Sequence, residues 1–157
     1  MENQKSTSFF RFEDLRVYHK ALEYADWVVE QSKSIDNPAK KMLFKPLLKS
    51  AMNISFNIVE GASCNRNSFP DYLKCAKTAV RECYVISSLI RRSGYITEEN
   101  FDSSKEHLYE ITRMLGAMIS SLVRQNSGQN PANRPIKKET PSTEESTPSI
   151  DIDFESL

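Results

Sequence analysis

Asn53-Ile54-Ser55-Phe56-Asn57-Ile58-Val59-Glu60-Gly61 combines a helical apolar pattern with three regularly spaced polar residues. Asn53, Asn57 and Glu60 follow one another at steps of four and three, which places their side chains on one face of a helix. Amides on a core-forming helix cost stability unless they are hydrogen-bonded or exposed. This face therefore predicts a role in the architecture of the protein or in contact between subunits.

Apolar residues recur at steps of three and four in four segments of the chain, which predicts an all-α protein. Short turns between long helices favour an antiparallel up-down-up-down four-helix bundle. The sequence shows no convincing strand pattern. The expected helices run from Glu13 to about Lys33, from Pro38 to about Gly61, from Ser68 to Ser93, and from Thr97 to about Gln125.

Turn and cap residues mark where these helices begin and end. Asn37-Pro38 favours a turn with proline at the first helical position, and Ser68 and Thr97 are suitable N-caps. Gly61 is expected to cap the end of helix two. Pro46 lies within helix two, where it predicts either a kink or a restart of the helix.

Length and composition indicate one domain with an additional tail. The chain has 157 residues, of which 39% are hydrophobic. We predict an N-terminal arm at 1–11, the bundle at 12–125 and an acidic tail at 126–157. Residues 1–125 hold 18 Lys and Arg against 15 Asp and Glu, whereas residues 126–157 hold 3 against 6. Neither balance by itself indicates a nucleic-acid or membrane partner.

The tail is rich in Pro, Ser, Thr and charged residues and is predicted to be disordered. Its last residues, 150–157, alternate apolar and acidic side chains in the sequence IDIDFESL. This pattern is compatible with a short motif that docks on a partner, or with a terminus of no particular function.

The sequence gives no positive indication of catalysis, of a metal or of a cofactor, and we predict that the protein is not an enzyme. Neither His19 nor His107 belongs to the Glu-x-x-His pairs of a di-metal bundle. The three cysteines form no CxxC pair, and no phosphate-binding glycine loop is present. The polar N-terminus and the lack of a long apolar run predict a cytoplasmic protein with no membrane contact.

Glu82 lies on a largely apolar stripe of helix three, so its carboxylate is expected to need a partner. A hydrogen bond or ion pair across the bundle is one interpretation, and an acid catalyst is the other. No second catalytic carboxylate is evident. We place Glu82 in the structural or interface class, together with Asn53, Asn57, Glu60 and Gly61.

Basic residues with one aromatic among them follow helices two and three, whereas helices one and four are acidic. Such segregation favours a positive face that contacts phosphates, with the tyrosine available to stack on a base. An ordinary solvated surface, or one that complements an acidic neighbouring subunit, is the alternative. The predicted nucleic-acid-binding residues are Lys45, Lys49, Lys74, Lys77, Arg81, Tyr84 and Arg92.

Three motifs resemble a bacterial four-helix-bundle family named for 23S rRNA intervening sequences. They are Phe12-Glu13-Asp14-Leu15 with the Val17-Tyr18 and Lys20-Ala21 pairs, the segment Asn53 to Gly61, and Ala76 to Glu82 followed by Gly94-Tyr95-Ile96. The segment Asn53 to Gly61 is the most specific, since it is similar to the family pattern S-I-x-x-N-I-A-E-G. Asn53 and Val59 depart from that pattern, as do Thr78-Ala79 in helix three.

The resemblance implies a helical bundle that assembles as a homo-oligomer, with a ring of five as the form reported for the family. Its members are encoded within insertions of ribosomal RNA genes. A related group serves as the accessory protein of diversity-generating retroelements and binds the reverse transcriptase and nucleic acid. The leading hypothesis is therefore an oligomeric bundle that binds structured RNA or a ribonucleoprotein. The alternative is a protein-interaction scaffold, for example an accessory subunit of a reverse transcriptase.

Overall fold

Four α-helices make up nearly all of the part of the chain that the structure describes. The computed structural model describes residues 10–33 and 36–127. A short 3₁₀ helix, Arg11–Asp14, precedes the four long helices. These are α1, Arg16–Ser32; α2, Pro38–Ser63; α3, Phe69–Arg92; and α4, Glu98–Asn126. The all-α prediction is confirmed, and no strand occurs within the described ranges.

At two of the three predicted helix starts, the cap residues act as the sequence predicts. The Asn37 side chain accepts hydrogen bonds from the backbone N–H groups of Ala39 and Lys40, and Pro38 opens α2. Thr97 Oγ1 accepts from the N–H of Asn100 at 3.2 Å at the start of α4. Each side chain satisfies backbone donors that a helix N-terminus leaves without partners. Ser68 precedes α3, but its side chain makes no capping hydrogen bond and instead donates to Asn65 Oδ1 at 3.2 Å, so its prediction as a cap is wrong.

Two expectations about α2 are corrected. The helix is continuous through Pro46, so it does not restart there. It also runs past Gly61 to Ser63, and Gly61 is buried within the last turn, so it does not cap the helix. A Cβ at Gly61 would lie 2.7 Å from Tyr72 Cβ and 2.7 Å from Phe69 Cδ2, so the absence of a side chain lets α2 and α3 pack closely.

Neighbouring helices run in opposite directions where their contacts can be followed. Gly61 meets the start of α3, and farther along Ser50 Oγ donates to Glu82 Oε2 at 3.0 Å, so α2 and α3 are antiparallel. Tyr24 contacts Ser104, and Lys20, one turn earlier in α1, lies 3.5 Å from Glu110 in α4. The up-down-up-down order of the complete bundle stays a prediction.

One core joins all four helices. The residues that recur at steps of three and four are buried in α2, at Phe44, Leu47, Ala51, Ile54 and Ile58, and in α3, at Leu73, Ala76, Val80, Cys83 and Ile90, with Ile86 partly buried. In α1 the buried residues are Val17, Ala21, Tyr24, Ala25 and Val28, whereas Leu22 and Val29 are exposed. A cluster of small and branched side chains allows close helix packing. Its fully buried members include Val17, Ala21, Tyr24, Val28, Leu47, Ala51, Ile54, Ile58, Leu73, Ala76, Cys83, Ile90, Leu108, Ile111 and Leu115.

The ends of the chain lie largely beyond these helices. The predicted N-terminal arm falls outside the described residues up to residue 9, and the predicted disordered tail does so from residue 128. Asn126, the last residue of α4, donates from Nδ2 to the carbonyl of Arg66 at 3.2 Å. This contact places the end of α4 beside the turn between α2 and α3.

Candidate nucleic-acid interface

Charge differs between the two halves of the bundle. α2 carries four lysines against one glutamate, and α3 carries five basic residues against two acidic ones. α1 holds two basic residues against three acidic ones, and α4 holds three against five. A polyanion would therefore meet an attractive surface on α2 and α3 and a repulsive one on α1 and α4.

Several cations on this side are free to meet a ligand. Within the described ranges, Lys45, Lys49, Lys77 and Arg92 take part in no hydrogen bond or ion pair with another residue. Lys45, Lys49 and Arg92 are exposed, and Lys77 is half-buried. A cation without an internal partner can contact a phosphate without first breaking an ion pair.

The remaining basic residues of the predicted set have local partners. Lys74 Nζ lies 2.8 Å from Asp71 Oδ1, one turn earlier in α3. Arg81 Nη2 donates to Thr78 Oγ1 at 3.1 Å. Both contacts are exposed and lie within one helix, so they cost little to exchange for a phosphate.

Tyr84 lies on the side of α3 that faces α4. Its ring is 6.0 Å from the ring of Phe101, centroid to centroid, and 39% of the residue is exposed. The Phe101 ring also lies 4.8 Å from the Arg91 guanidinium and 5.0 Å from Lys105 Nζ. Tyr84 thus belongs to an aromatic and cationic cluster at the α3–α4 edge, with one part of its ring open to solvent.

Arg81 lies on the opposite edge of α3, toward α2. It lines a shallow groove of about 370 Å³ together with Ser50, Thr78, Glu82, Val85 and Ile86. Lys49 immediately precedes Ser50 in α2. Lys49 itself does not line this groove, and Lys45 lines a separate groove with Ser32, Lys41, Phe44 and Leu48. Arg81 therefore faces α2, whereas Tyr84 faces α4. We call the seven predicted residues on α2 and α3 the basic face.

Glu82 is exposed, in contrast to the apolar neighbourhood expected from its stripe. Cys75 and Leu89, seven residues before and after Glu82 on the same stripe, are also exposed. The reason is that the buried side of α3 is centred on Ala76, Val80 and Cys83. The carboxylate accepts the hydrogen bond of Ser50, so it does link two helices as the structural interpretation requires.

The polar residues of α2 lie beside the α2–α3 junction. Asn57 Nδ2 donates to the backbone carbonyl of Asn53 at 2.7 Å, and both side chains are half-buried. Glu60 is exposed. The asparagine amide is thus satisfied within its own helix, and its carbonyl oxygen is available to another molecule.

Exposed apolar side chains also occur on α2 and α3, and the sequence pattern did not predict their exposure. Met42 is 70% exposed, Phe56 60%, Val85 66% and Leu89 50%. The sequence does contain a sign of this exposure, because Met42 and Phe56 share a seven-residue spacing with Lys49 and so lie on the same side of α2 as that exposed lysine. Sequence alone does not separate such a stripe from the edge of a wide core face. Val85 and Leu89 lie one turn apart on α3, and adjacent exposed apolar groups of this kind are typical of a contact surface.

The polar groups of Tyr24, Ser104 and Cys83 are buried in the core, so none of them is exposed to a ligand. The Tyr24 hydroxyl and Ser104 Oγ are 3.0 Å apart. Burial raises the pKa of the Cys83 thiol to about 12, and the nearby Glu82 carboxylate adds to the shift. A protonated, inaccessible thiol is a poor nucleophile. Among the described residues, no three His, Cys, Asp or Glu side chains are grouped so as to hold a metal ion.

A concavity larger than the α2–α3 groove lies on the other half of the molecule, among the described residues. A groove of about 740 Å³ follows α4 and is lined by Ser103, Glu106, His107, Tyr109, Glu110, Thr112 and Arg113. Its two glutamates disfavour a phosphate ligand. Neither its size nor its chemistry adds to the basic face.

A family model and a solved structure both match this bundle. A family model described as 23S rRNA-intervening sequence protein matches residues 13–117. A solved structure is similar over 66% of this chain and 97% of its own, with 30% identity and a TM-score of 0.60. It is a protein of unknown function from the S23 ribosomal protein family of Bacteroides thetaiotaomicron. No curated protein matches the chain. Among the described helices, none is both long and apolar enough to cross a membrane.

Proposed function

Since this chain belongs to the 23S rRNA-intervening sequence protein family, we propose that it is a non-enzymatic, oligomeric helical bundle that binds structured RNA or a ribonucleoprotein. The basic face of α2 and α3 is the proposed binding surface. The family supports an association with RNA, and a cytoplasmic location accords with it. We also propose that the chain is related to the accessory proteins of diversity-generating retroelements, as the resemblance implies.

The separation of charge between the two halves of the bundle is the observation that carries the proposal. Four of the seven residues of the basic face are cations with no partner within the described ranges, and two more have only exposed partners in their own helix. Their side chains lie on helices that share one junction, at Ser50 and Glu82. Structured RNA presents phosphates and 2′-hydroxyls over a comparable surface, and contact with them requires no base-specific side chains.

RNA affinity measured across a salt series tests the proposal. Purified, nuclease-treated protein should bind labelled structured RNA with an affinity that falls steeply as salt rises, because each neutralised phosphate releases counterions. Weak binding even at low salt would remove RNA as a direct ligand.

Reversal of charge at Lys77 and Arg81 tests the assignment of the face. The double variant Lys77→Glu, Arg81→Glu should weaken RNA binding by about tenfold or more and should make the salt dependence shallower. Lys33→Glu with Arg113→Glu is the matched control, since it reverses one lysine and one arginine on the acidic helices or at their ends. Equal losses in the two double variants, or unchanged affinity at moderate salt, would reject the basic face.

The exposed apolar residues favour a second candidate function, that of a protein-interaction scaffold without direct RNA contact. Met42, Phe56, Val85 and Leu89 are more typical of a protein contact than of a phosphate contact. A reverse transcriptase is the example of a partner that the resemblance implies. Pull-downs with and without residues 126–157 would show whether the tail or the bundle surface recruits such a partner.

A further inference from the structure

The groove between α2 and α3 is lined by apolar side chains and has cationic side chains at or near its edge. Val85 and Ile86 line it on α3, with Arg81 and Glu82 beside them, and the Glu82 carboxylate already accepts the hydrogen bond of Ser50. Leu89 follows Val85 after one turn. On α2 the exposed Lys49 precedes Ser50 just outside the groove, and Lys45 lies one turn earlier on the outer side of the helix, where it also lines a small groove with Ser32 of α1. A volume of about 370 Å³ has room for a large side chain. The matching ligand is a short segment in which apolar and acidic side chains occur together.

The chain itself contains such a segment outside the described residues. Residues 150–157 hold four large apolar side chains, Ile150, Ile152, Phe154 and Leu157, and three acidic ones, Asp151, Asp153 and Glu155. We propose that this segment docks in the α2–α3 groove of its own chain, with Phe154 in the groove and the carboxylates on Lys45, Lys49 and Arg81. The complementary charge of the two surfaces selects this occupant over a neutral one.

The connection is long enough. Asn126 holds the end of α4 beside Arg66, in the turn between α2 and α3. Lys45 is 18 residues before Ser63, so it lies about 27 Å along α2 from that turn at 1.5 Å per residue. Residues 128–149 can span at most roughly 70 Å. The segment can therefore reach the groove of its own chain without a second copy.

Docking would place acidic groups on the cations that the proposed function assigns to RNA. The segment would then compete with RNA, and its removal would tighten RNA binding. This consequence rests on the proposed function, whereas the docking itself does not. The test below therefore contains no RNA, so that failure of one proposal leaves the other intact.

Zero-length carbodiimide cross-linking of the full chain tests the docking, because it joins a carboxylate to a lysine amine only where the two are in contact. Trypsin cuts after Lys138 and releases residues 139–157 as one peptide, since no later Lys or Arg occurs. Glu139, Glu144 and Glu145 in the same peptide serve as internal comparators. An equal mixture of ¹⁴N-labelled and ¹⁵N-labelled protein separates links within a chain from links between chains.

Links from Asp151, Asp153 or Glu155 to Lys45 or Lys49 should exceed links to Lys20, Lys33 and Lys105 by about tenfold, as local docking requires. They should join residues of one isotope. Phe154→Ser should reduce them by roughly fivefold or more, because it removes the apolar contact. Ile136→Ser, an equal change in the connecting stretch, should leave them unchanged.

Three outcomes would overturn the docking. Links spread evenly over the lysines of all helices would show that the segment has no preferred site. Links that survive Phe154→Ser would reduce the contact to charge attraction without the groove. Links between the two isotopes would assign the groove to a second copy of the chain.

Discussion

At the scale of single residues, two glycines in helices of this bundle have opposite surroundings. A Cβ at Gly61 would meet Phe69 and Tyr72 at 2.7 Å, whereas a Cβ at Gly116 in α4 would meet nothing within 4 Å. Tyr72 Cβ is attached directly to the backbone of α3, so it moves only if the helix moves. The effect of a side chain at position 61 is therefore determined by helix packing. At position 116 it is determined by backbone entropy alone.

Gly61→Ala should lower the free energy of unfolding by about 1–3 kcal/mol, because it overpacks the α2–α3 contact. Gly116→Ala is the matched control and should raise it by about 0.5–1 kcal/mol, because alanine favours the helix. Urea unfolding monitored by circular dichroism measures both. Similar shifts of the same sign in the two variants would contradict the close approach at Gly61.

Cys83 gives the stability a dependence on alkaline pH. Its ordinary pKa is 9.0, and burial raises it to about 12 in the folded protein. Above pH 9 the unfolded chain loses this proton while the folded chain keeps it, so the free energy of unfolding falls as pH rises, by up to about 1.4 kcal/mol per pH unit.

Cys83→Ala should make the decrease in stability between pH 8.5 and 10 shallower than in the unmodified protein. Cys75→Ala removes an exposed thiol and is the control for the loss of a cysteine from the surface. Urea titrations at several pH values measure the two slopes, and a slope that is unaffected by Cys83→Ala would refute the assignment.

At the scale of elements, the two prolines of α2 are expected to affect the stability of the helix differently, because they occupy different positions in it. Pro38 occupies the first turn, where its missing N–H has no partner to lose. Pro46 lies within the helix, where it removes a backbone hydrogen bond and crowds the preceding turn. Its side chain is exposed, so packing does not compensate for the loss.

Pro46→Ala should therefore stabilise the protein by about 1–3 kcal/mol. Pro38→Ala should change the stability by less than about 0.5 kcal/mol. Thermal and urea unfolding measure both effects. A destabilised Pro46→Ala variant would indicate that the proline is needed for the shape of α2.

The helices could be predicted from sequence because period and cap chemistry agree over long segments. Asn37-Pro38 and Thr97 identify helix starts without knowledge of the tertiary structure. The position of Glu82 could not be predicted, because Val85 and Leu89 extend the apolar stripe of α3 beyond its buried side. The local sequence of Gly61 is equally compatible with a cap and with a close contact, and only the position of α3 decides between them.

Some properties of the candidate site could likewise be predicted from the sequence, whereas others depend on the tertiary structure. Its cations could be listed from the sequence because charge is a property of single residues. Which cations are paired could not, because the pairing depends on rotamers. The positions of Arg81 toward α2 and Tyr84 toward α4 follow from how α3 is rotated between its neighbours.

At the scale of the whole molecule, the second half of α2 is the part of the surface where association between copies is expected. Asn53 and Asn57 lie half-buried beside exposed Phe56, and the Asn57 amide already has a partner in its own helix. An amide carbonyl with apolar neighbours suits a contact that must fix the register of two copies. The proposed homo-oligomer would use this region.

Asn57→Leu should alter assembly, seen as a change in mass by light scattering. It should also remove the hydrogen bond to the Asn53 carbonyl, at a cost of about 0.5–1.5 kcal/mol. Asn100→Leu, at a half-buried position of α4, is the matched control for an added apolar side chain. A variant with normal mass and a normal melting curve would count against a structural or interface role for Asn57.

The hydrogen bond from Asn126 to the Arg66 carbonyl has a consequence for how tightly any tethered ligand needs to bind. It fixes the point from which residues 128–157 leave the bundle, so residues 150–157 would meet the groove at an effective concentration on the order of millimolar. A segment with a dissociation constant of that order as a free peptide would be docked about half of the time. Such a segment can regulate by weak affinity, since modest competition is enough to displace it.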